Sequence, residues 1–385
     1  MAPTAADFTL GVEEEFSIVD AATGELRPDA RRLLPGARRR LGDDVQPELN
    51  LAQLETGTMV CRTLAGVRHE LVRLRQALVA AAAEAGCRVL PTGTHPTASW
   101  RDSRVNPTKE RYRFLDEEFG LTAREQLVNG CHVHVGIADP DLAIAVLDRC
   151  RPWLATLLAL TANSPFWMGA DTTYASYRTQ VWSSWPLTGM PEPLGDRAGY
   201  DALVAALARA GALPDASFLY WDVRPSARYP TLEFRIADAC LTVDDAVMLA
   251  GLVRAVARTA AREAEEGRPV PALAGELLRA AKWRAARHGL DGTLIDLVAG
   301  AAVPAAVAVE RLLDHVGQAL DEVGDGPAVR ELVSAVLAGG NGAARQRAAA
   351  ASAGGLAAAV EALAAASRHR RTRVRPRRRP GRTGP

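Results

Sequence analysis

The fold class predicted for this 385-residue chain is α+β, and three observations predict it. Segments with period-two alternation are separated by helical patterns of unequal length, turn-rich joints mark hairpins, and the final third is alanine-rich with helical periodicity. The length suffices for one large core or two ordinary ones. We assign residues 1–367 to a single domain, with residues 244–367 as a helical layer over a sheet.

Each element follows from local pattern. Residues 8–19, "FTLGVEEEFSIV", alternate apolar and polar, and "DAATGEL" supplies turn chemistry, so a strand and a hairpin are expected. Residues 29–41 form a short basic helix. The stretch "QPELNLAQLETGT" is extended, residues 64–85 are helical with Gly86 as the C-cap, and "CRVLPTG" is a short strand. "NPTKERYRFLDEEFG" is helical and "LVNGCHVHVGI" is a strand. Asp139 or Asp141 suits the N-cap of the helix running through "LAIAVLDRCRPWLATLLAL", which Pro152 is expected to bend. Residues 163–193 are aromatic and rich in Gly and Pro without period, and a loop of that length inside a compact protein points to function. After a short helix, "SFLYWDVRP" and "YPTLEFRIADA" are strands. Asp244 then opens the helical third, which breaks at "GRPVP", "GLDG" and "DGPAV".

Composition narrows the function classes. No run of about 18 uncharged apolar residues occurs, and "MAPTAADF" lacks the regions of a signal peptide, so a cytoplasmic protein without membrane contact is expected. The five cysteines are odd in number and widely spaced with no CxxC pair, which argues against a cysteine-based zinc site or a disulfide framework. The net charge of +1 hides an asymmetry: nine arginines fall within residues 368–385, leaving 37 basic against 45 acidic residues, or −8, in the body. That tail is expected to be disordered, and nucleic acid is a partner only through it. Homo-oligomerisation is compatible with the sequence.

Three predicted strands share an oddity. Residues two apart on a strand face the same way. In the first strand Phe8, Leu10, Val12, Phe16 and Ile18 form an apolar face while Glu13 and Glu15 project oppositely. Glu14 falls on the apolar side, where a buried carboxylate needs an ion-pair partner. In "CHVHVGI" the valines face one way and His132 and His134 the other. In "LEFRIA" Glu233 and Arg235 oppose Leu232, Phe234 and Ile236. Each pattern alone suits a solvated face. One sheet that turned all three polar faces to one side would gather carboxylates, imidazoles and a guanidinium. Carboxylates that close stay ionised only if cations compensate, and oxygen-rich donors favour Mg²⁺ or Mn²⁺.

The segments "GVEEEFSIVDAATGEL", "QLETGTMVCRTL", "NGCHVHVG", "ANSPFWMGADTTYASYRTQVW", "TLEFRIADAC" and "AARQR" resemble, in this order, motifs of the carboxylate-amine ligases described as glutamate-cysteine ligases of the second type. The likeness spans roughly residues 8–365. It implies a single catalytic domain with the glutamine synthetase and guanido kinase type of fold, a mainly antiparallel sheet whose concave face holds ATP and metal ions. By resemblance Glu13, Glu15, Glu55, His132 and Glu233 are metal ligands and Arg235 binds phosphate. Arg178, Arg345 and Arg347 are further candidates for phosphate or carboxylate. His134 matches less well, because more distant relatives carry another polar residue there. The implied reaction activates a carboxylate, glutamate in the family, as an acyl phosphate, which an amine such as cysteine then attacks. The chain has no GxxxxGK[ST] loop, as a nucleotide site on a sheet face requires none.

Two other readings remain open. A zinc hydrolase built on His132 and His134 needs further ligands, for which His95 is available. A nonenzymatic binding protein needs none of the carboxylates.

Overall fold

A computed structural model describes residues 8–352 and 355–368. Its centre is β1 (Leu10–Asp20), long enough at 11 residues to pair with three other strands. Along β1 lie β3 (Gln53–Gly57), β4 (Cys87–Leu90) and β5 (Gly130–Gly136). β2 (Val45–Pro47) flanks β3, and Thr231–Asp238 pairs with β5 on one side and with the edge strand Val223–Pro225 on the other. The resulting seven-stranded sheet is antiparallel at every pairing.

The period-two pattern sets what covers the sheet. Leu10, Val12, Val133, Val135, Leu232 and Phe234 enter one core with the helix Val243–Glu265, while Phe16 and Ile18 meet α1 (Ala30–Leu41) and α2 (Leu64–Glu84). Burial of each such side chain contributes about 1.5–3 kcal/mol. The helix Val243–Glu265 is buried nearly all round, because Ala305–Glu322 and Gly326–Gly339 pack on it as well. A helix layer therefore covers one sheet face and leaves the polar face to other duties.

Glu14 has the partner its position demands. Arg75 of α2 binds both carboxylate oxygens, at 2.9 and 2.5 Å, and its remaining donors reach the carbonyls of Cys240 and Leu241.

Some expectations need correction. The long helix starts from Thr242, which forms a capping box with Asp245, while Asp244 is exposed and paired with Arg68. The helical third is interrupted by a hairpin, Thr293–Asp296 with Ala301–Pro304. Gly289 at φ 57° caps the preceding helix, Gly292 at φ 105° leads into the first strand, and pairing then overrides the helix propensity of Ala301 and Ala302. "SFLYWDVRP" is not one strand: Tyr220–Trp221 pairs in parallel with Thr188–Gly189, and only Val223–Pro225 joins the main sheet. Pro152 sits in a 3₁₀ turn, Arg151–Trp153, that joins two helices, and Asp139 caps the first of them. Within the 163–193 loop lie a two-residue hairpin and the helix Tyr177–Trp182.

The five cysteines are buried and unpaired. Among the described residues no helix is long and apolar enough to cross a membrane. The expectation for the arginine-rich tail falls on residues 369–385, which lie outside those described.

Candidate active site

Strand register brings the polar faces together. Glu13 lies opposite His132, Glu15 opposite Glu55, and Glu233 opposite His134. Three sets result, Glu13–His134–Glu233, Glu13–Glu55–His132 and Glu15–Glu48–Glu55, each with its donor atoms within 4.8 Å of one another. Glu13 joins the first two sets and Glu55 the last two. Glu13 Oε2 lies 3.3 Å from His132 Nδ1 and Glu13 Oε1 3.4 Å from His134 Nε2.

A bulge aims the arginine. The register between β5 and Thr231–Asp238 shifts between Phe234 and Ala237, so Arg235 and Ile236 together oppose the one residue His132. Arg235 points into the cluster, where it pairs with Glu233 and lies 3.4 Å from His132 Nδ1. The shift also returns Asp238, opposite Gly130, to the polar side. There Asp238 accepts hydrogen bonds from the Asn163 amide and from the Ser164 and Ser176 hydroxyls, each at 2.7 Å, and so fixes the loop that carries Arg178.

Gly130 is required by close approach. A Cβ there would stand 2.6 Å from Arg178 Nη2 and 2.7 Å from His132 Nε2, and the Gly130 amide donates to Glu15 Oε2 at 2.6 Å.

The electrostatics divide the carboxylates. Burial works to raise Glu13 and Glu233, but the histidines beside Glu13, and Arg235 and Arg224 beside Glu233, outweigh it and hold both well below the usual carboxylate range. Burial, then the Glu48 charge, push Glu15 up to about 8 against Arg178, the Gly130 amide and Arg235. Burial and the charges of Glu13, Glu48 and Glu15 push Glu55 well above its ordinary value. Burial and Arg235 lower His132 to about 4, so its imidazole is neutral. Burial opposes protonation of His134, but Glu13 prevails and raises it. Protein cations thus satisfy Glu233 and leave Glu15, Glu48 and Glu55 short of positive charge.

That deficit fits divalent cations. The donors are mostly carboxylate oxygens, as hard ions require, and the buried Nε2 atoms of His132 and His134, though near Glu15 and Glu13, make no hydrogen bond among the described residues. The zinc reading loses its extra ligand. His95 faces the Gly24 carbonyl with Nε2 at 3.1 Å, while its Nδ1 accepts from the Thr97 and Ala98 amides.

The structure gathers Glu13, Glu15, Glu55, His132, His134, Glu233 and Arg235, with Arg178 beside them. It does not bring Arg345 and Arg347 there. Arg345 pairs with Asp245 at 3.0 Å, and Arg347 with Asp171 at 2.6 Å. In "RQR" the buried residue is Gln346, which binds Asn163 and Thr92. Two site residues escape the period-two reading. Glu48 follows the short strand β2, outside any alternating run. Arg224 lies across from Glu233 and binds it at 2.8 Å, and its signal was the "VRP" edge strand.

Comparisons with known proteins give the family and the fold. Residues 9–362 match the profile of "Glutamate-cysteine ligase family 2(GCS2)". The chain is 48% identical over 349 residues to a Frankia alni protein named "Putative glutamate--cysteine ligase 2-2", covering 87% of this chain and 90% of that one. It is 45% identical over 342 residues to the Salinispora arenicola "Putative glutamate--cysteine ligase 2", covering 89% and 90%. In fold it resembles the Francisella tularensis glutamate–cysteine ligase crystallised with AMP, with a TM-score of 0.70 at 13% identity over 95% of this chain and 90% of that one. The bifunctional glutathione synthetase of Pasteurella multocida gives 0.69 at 16% identity over 94% of this chain and 52% of that one. With the profile spanning nearly the whole described chain and relatives of this identity, the chain belongs to glutamate–cysteine ligase family 2 and is a ligase of that family.

Proposed function

We propose that this protein is an ATP-dependent carboxylate–amine ligase that joins glutamate to cysteine through an acyl phosphate, in the cytoplasm. The observation that carries the reading is the set of three donor groups on one sheet face, linked through Glu13 and Glu55. An antiparallel sheet with helices behind it and charged groups in front suits the glutamine synthetase and guanido kinase type of fold.

Glu13, Glu15, Glu48, Glu55, Glu233, His132 and His134 would hold Mg²⁺ or Mn²⁺ in the three sets. Such ions, when bound, neutralise a triphosphate and favour the charge that develops as the phosphoryl group moves. The protein's own part is positioning. Arg235, tied by Glu233 and aimed by the bulge, offers a guanidinium to a phosphoryl oxygen. Arg178, whose nearest carboxylate is Asp238 at 4.0 Å, keeps donors for the substrate carboxylate or its phosphate. Helices behind the sheet exclude water from one side, so these charges act where their effect is strongest.

An ADP-release screen over pairs of amino acids tests the proposal. Turnover should require both a carboxylic acid and an amine, and Glu13→Gln and Glu233→Gln should each lower it by about 10²-fold or more, as loss of a positioned charge does. Activity surviving both substitutions would remove the site assignment.

A further inference from the structure

Arg178 and Arg235 share one aromatic neighbour. Arg178 lies four residues before Trp182 on the helix Tyr177–Trp182, and Arg235 lies on the strand Thr231–Asp238. The Trp182 ring centroid is 5.7 Å from Arg178 Cζ and 5.8 Å from Arg235 Cζ. The two guanidiniums repel each other, and while Arg235 is paired with Glu233, Arg178 has its carboxylate neighbour Asp238 at 4.0 Å. Arg178 reaches the Ile236 and Arg235 carbonyls only at 3.5 and 3.3 Å, and among the described residues Nε of both arginines is buried without a partner.

Trp182 itself is held from behind. Trp185 stacks on it at 6.3 Å and 11°, and Tyr220 meets it edge-on at 5.5 Å and 89°. The Tyr220 hydroxyl accepts from Arg111 at 2.9 Å, and Trp185 packs on Phe119 at 4.8 Å. The indole is therefore a fixed wall, and its electron-rich face attracts both cations without competing for an incoming anion.

We propose that Trp182 is a positioning residue that holds Arg178 and Arg235 as one preset receptor for the phosphoryl or carboxylate anion. The inference rests on the ligase reading and deepens it. A carboxylate in place of Trp182 would hold the arginines equally well but would occupy the donors that the substrate needs; an indole leaves them free.

The test uses the full chain with Trp182→Phe, which keeps an aromatic face, and Trp182→Leu, which keeps apolar bulk without one. Binding of tripolyphosphate with Mg²⁺ is measured by titration calorimetry, ATP KM and kcat by ADP release, and folding by thermal unfolding. The Leu variant should weaken tripolyphosphate binding and raise the ATP KM by about 5- to 20-fold with a smaller change in kcat, and the Phe variant should stay within about threefold of the wild type. Trp182→Met serves the same purpose where the Leu variant does not fold. Wild-type affinity in the Leu or Met variant, or an equal loss in the Phe and Leu variants, overturns the proposal while leaving the ligase reading intact. A wild-type protein that binds no tripolyphosphate overturns the proposal, and one that also releases no ADP with any pair of amino acids overturns both.

Discussion

On β1, Glu14 turns toward the helices, where Arg75 binds it and only 1% of its surface is exposed, while Glu13 and Glu15 turn toward the open side of the sheet. Neighbours in sequence therefore have separate duties. A buried pair that loses one partner leaves an uncompensated charge, at about 3–5 kcal/mol. Glu14→Gln should lower the unfolding free energy by that amount, read from urea titration, while residual folded protein keeps its ATP KM. Glu13→Gln should do the reverse, keeping stability and losing turnover. His95 contributes to the pH dependence of the fold. Burial lowers it to about 4 despite its bond to the Gly24 carbonyl, against 6.5 unfolded. The unfolded chain takes up the proton first, so the stability His95 contributes is complete above pH 6.5 and is lost as pH falls through about 4. The loss amounts to about 3 kcal/mol. Urea titrations at pH 7.5 and 4.5 should show a smaller acid loss in His95→Gln than in the wild type; equal losses would contradict this.

The strands show which features of an element can be seen in sequence. Alternation placed Glu13, Glu15, His132, His134, Glu233 and Arg235 on polar faces because period two is a property of each strand by itself. The bulge after Phe234 is different, since it depends on how β5 lies against its neighbour, and no local pattern announces it. Asp238 consequently reads as the wrong side of its strand and is found on the right one. Gly130 is a second case, where close approach of Arg178 and His132 becomes visible only after the sheet and the 163–193 loop are both in place. Gly130→Ala should crowd both side chains, costing about 1–3 kcal/mol of stability. It should also lower kcat about tenfold or more, as small misplacement of catalytic groups does. Thermal unfolding and ADP release read the two effects, and an Ala variant with wild-type kcat would show that the close approach is dispensable.

At the scale of the whole molecule, the α+β class and the helical cover followed from alternation and from an alanine-rich third, and the ordered motifs led to the family. What stayed hidden depends on long-range pairing. The hairpin Thr293–Asp296 with Ala301–Pro304 sits in residues that favour helix, and Glu48 enters the site only because β2 lies beside β3. In "RQR" charge is legible and packing is not; the fold pairs both arginines with aspartates and buries the glutamine between them. Distant segments thus supply one acidic surface, with four strands and the stretch after β2 each contributing donors. The direct measurement is a crystal structure of the full chain with Mn²⁺ and a non-hydrolysable ATP analogue, with anomalous scattering collected at the manganese edge. The account predicts anomalous peaks among Glu13, Glu15, Glu48, Glu55, His132, His134 and Glu233, with the analogue's phosphates above them and Arg235 in contact. Manganese bound elsewhere, or phosphates lying away from these side chains, would contradict it.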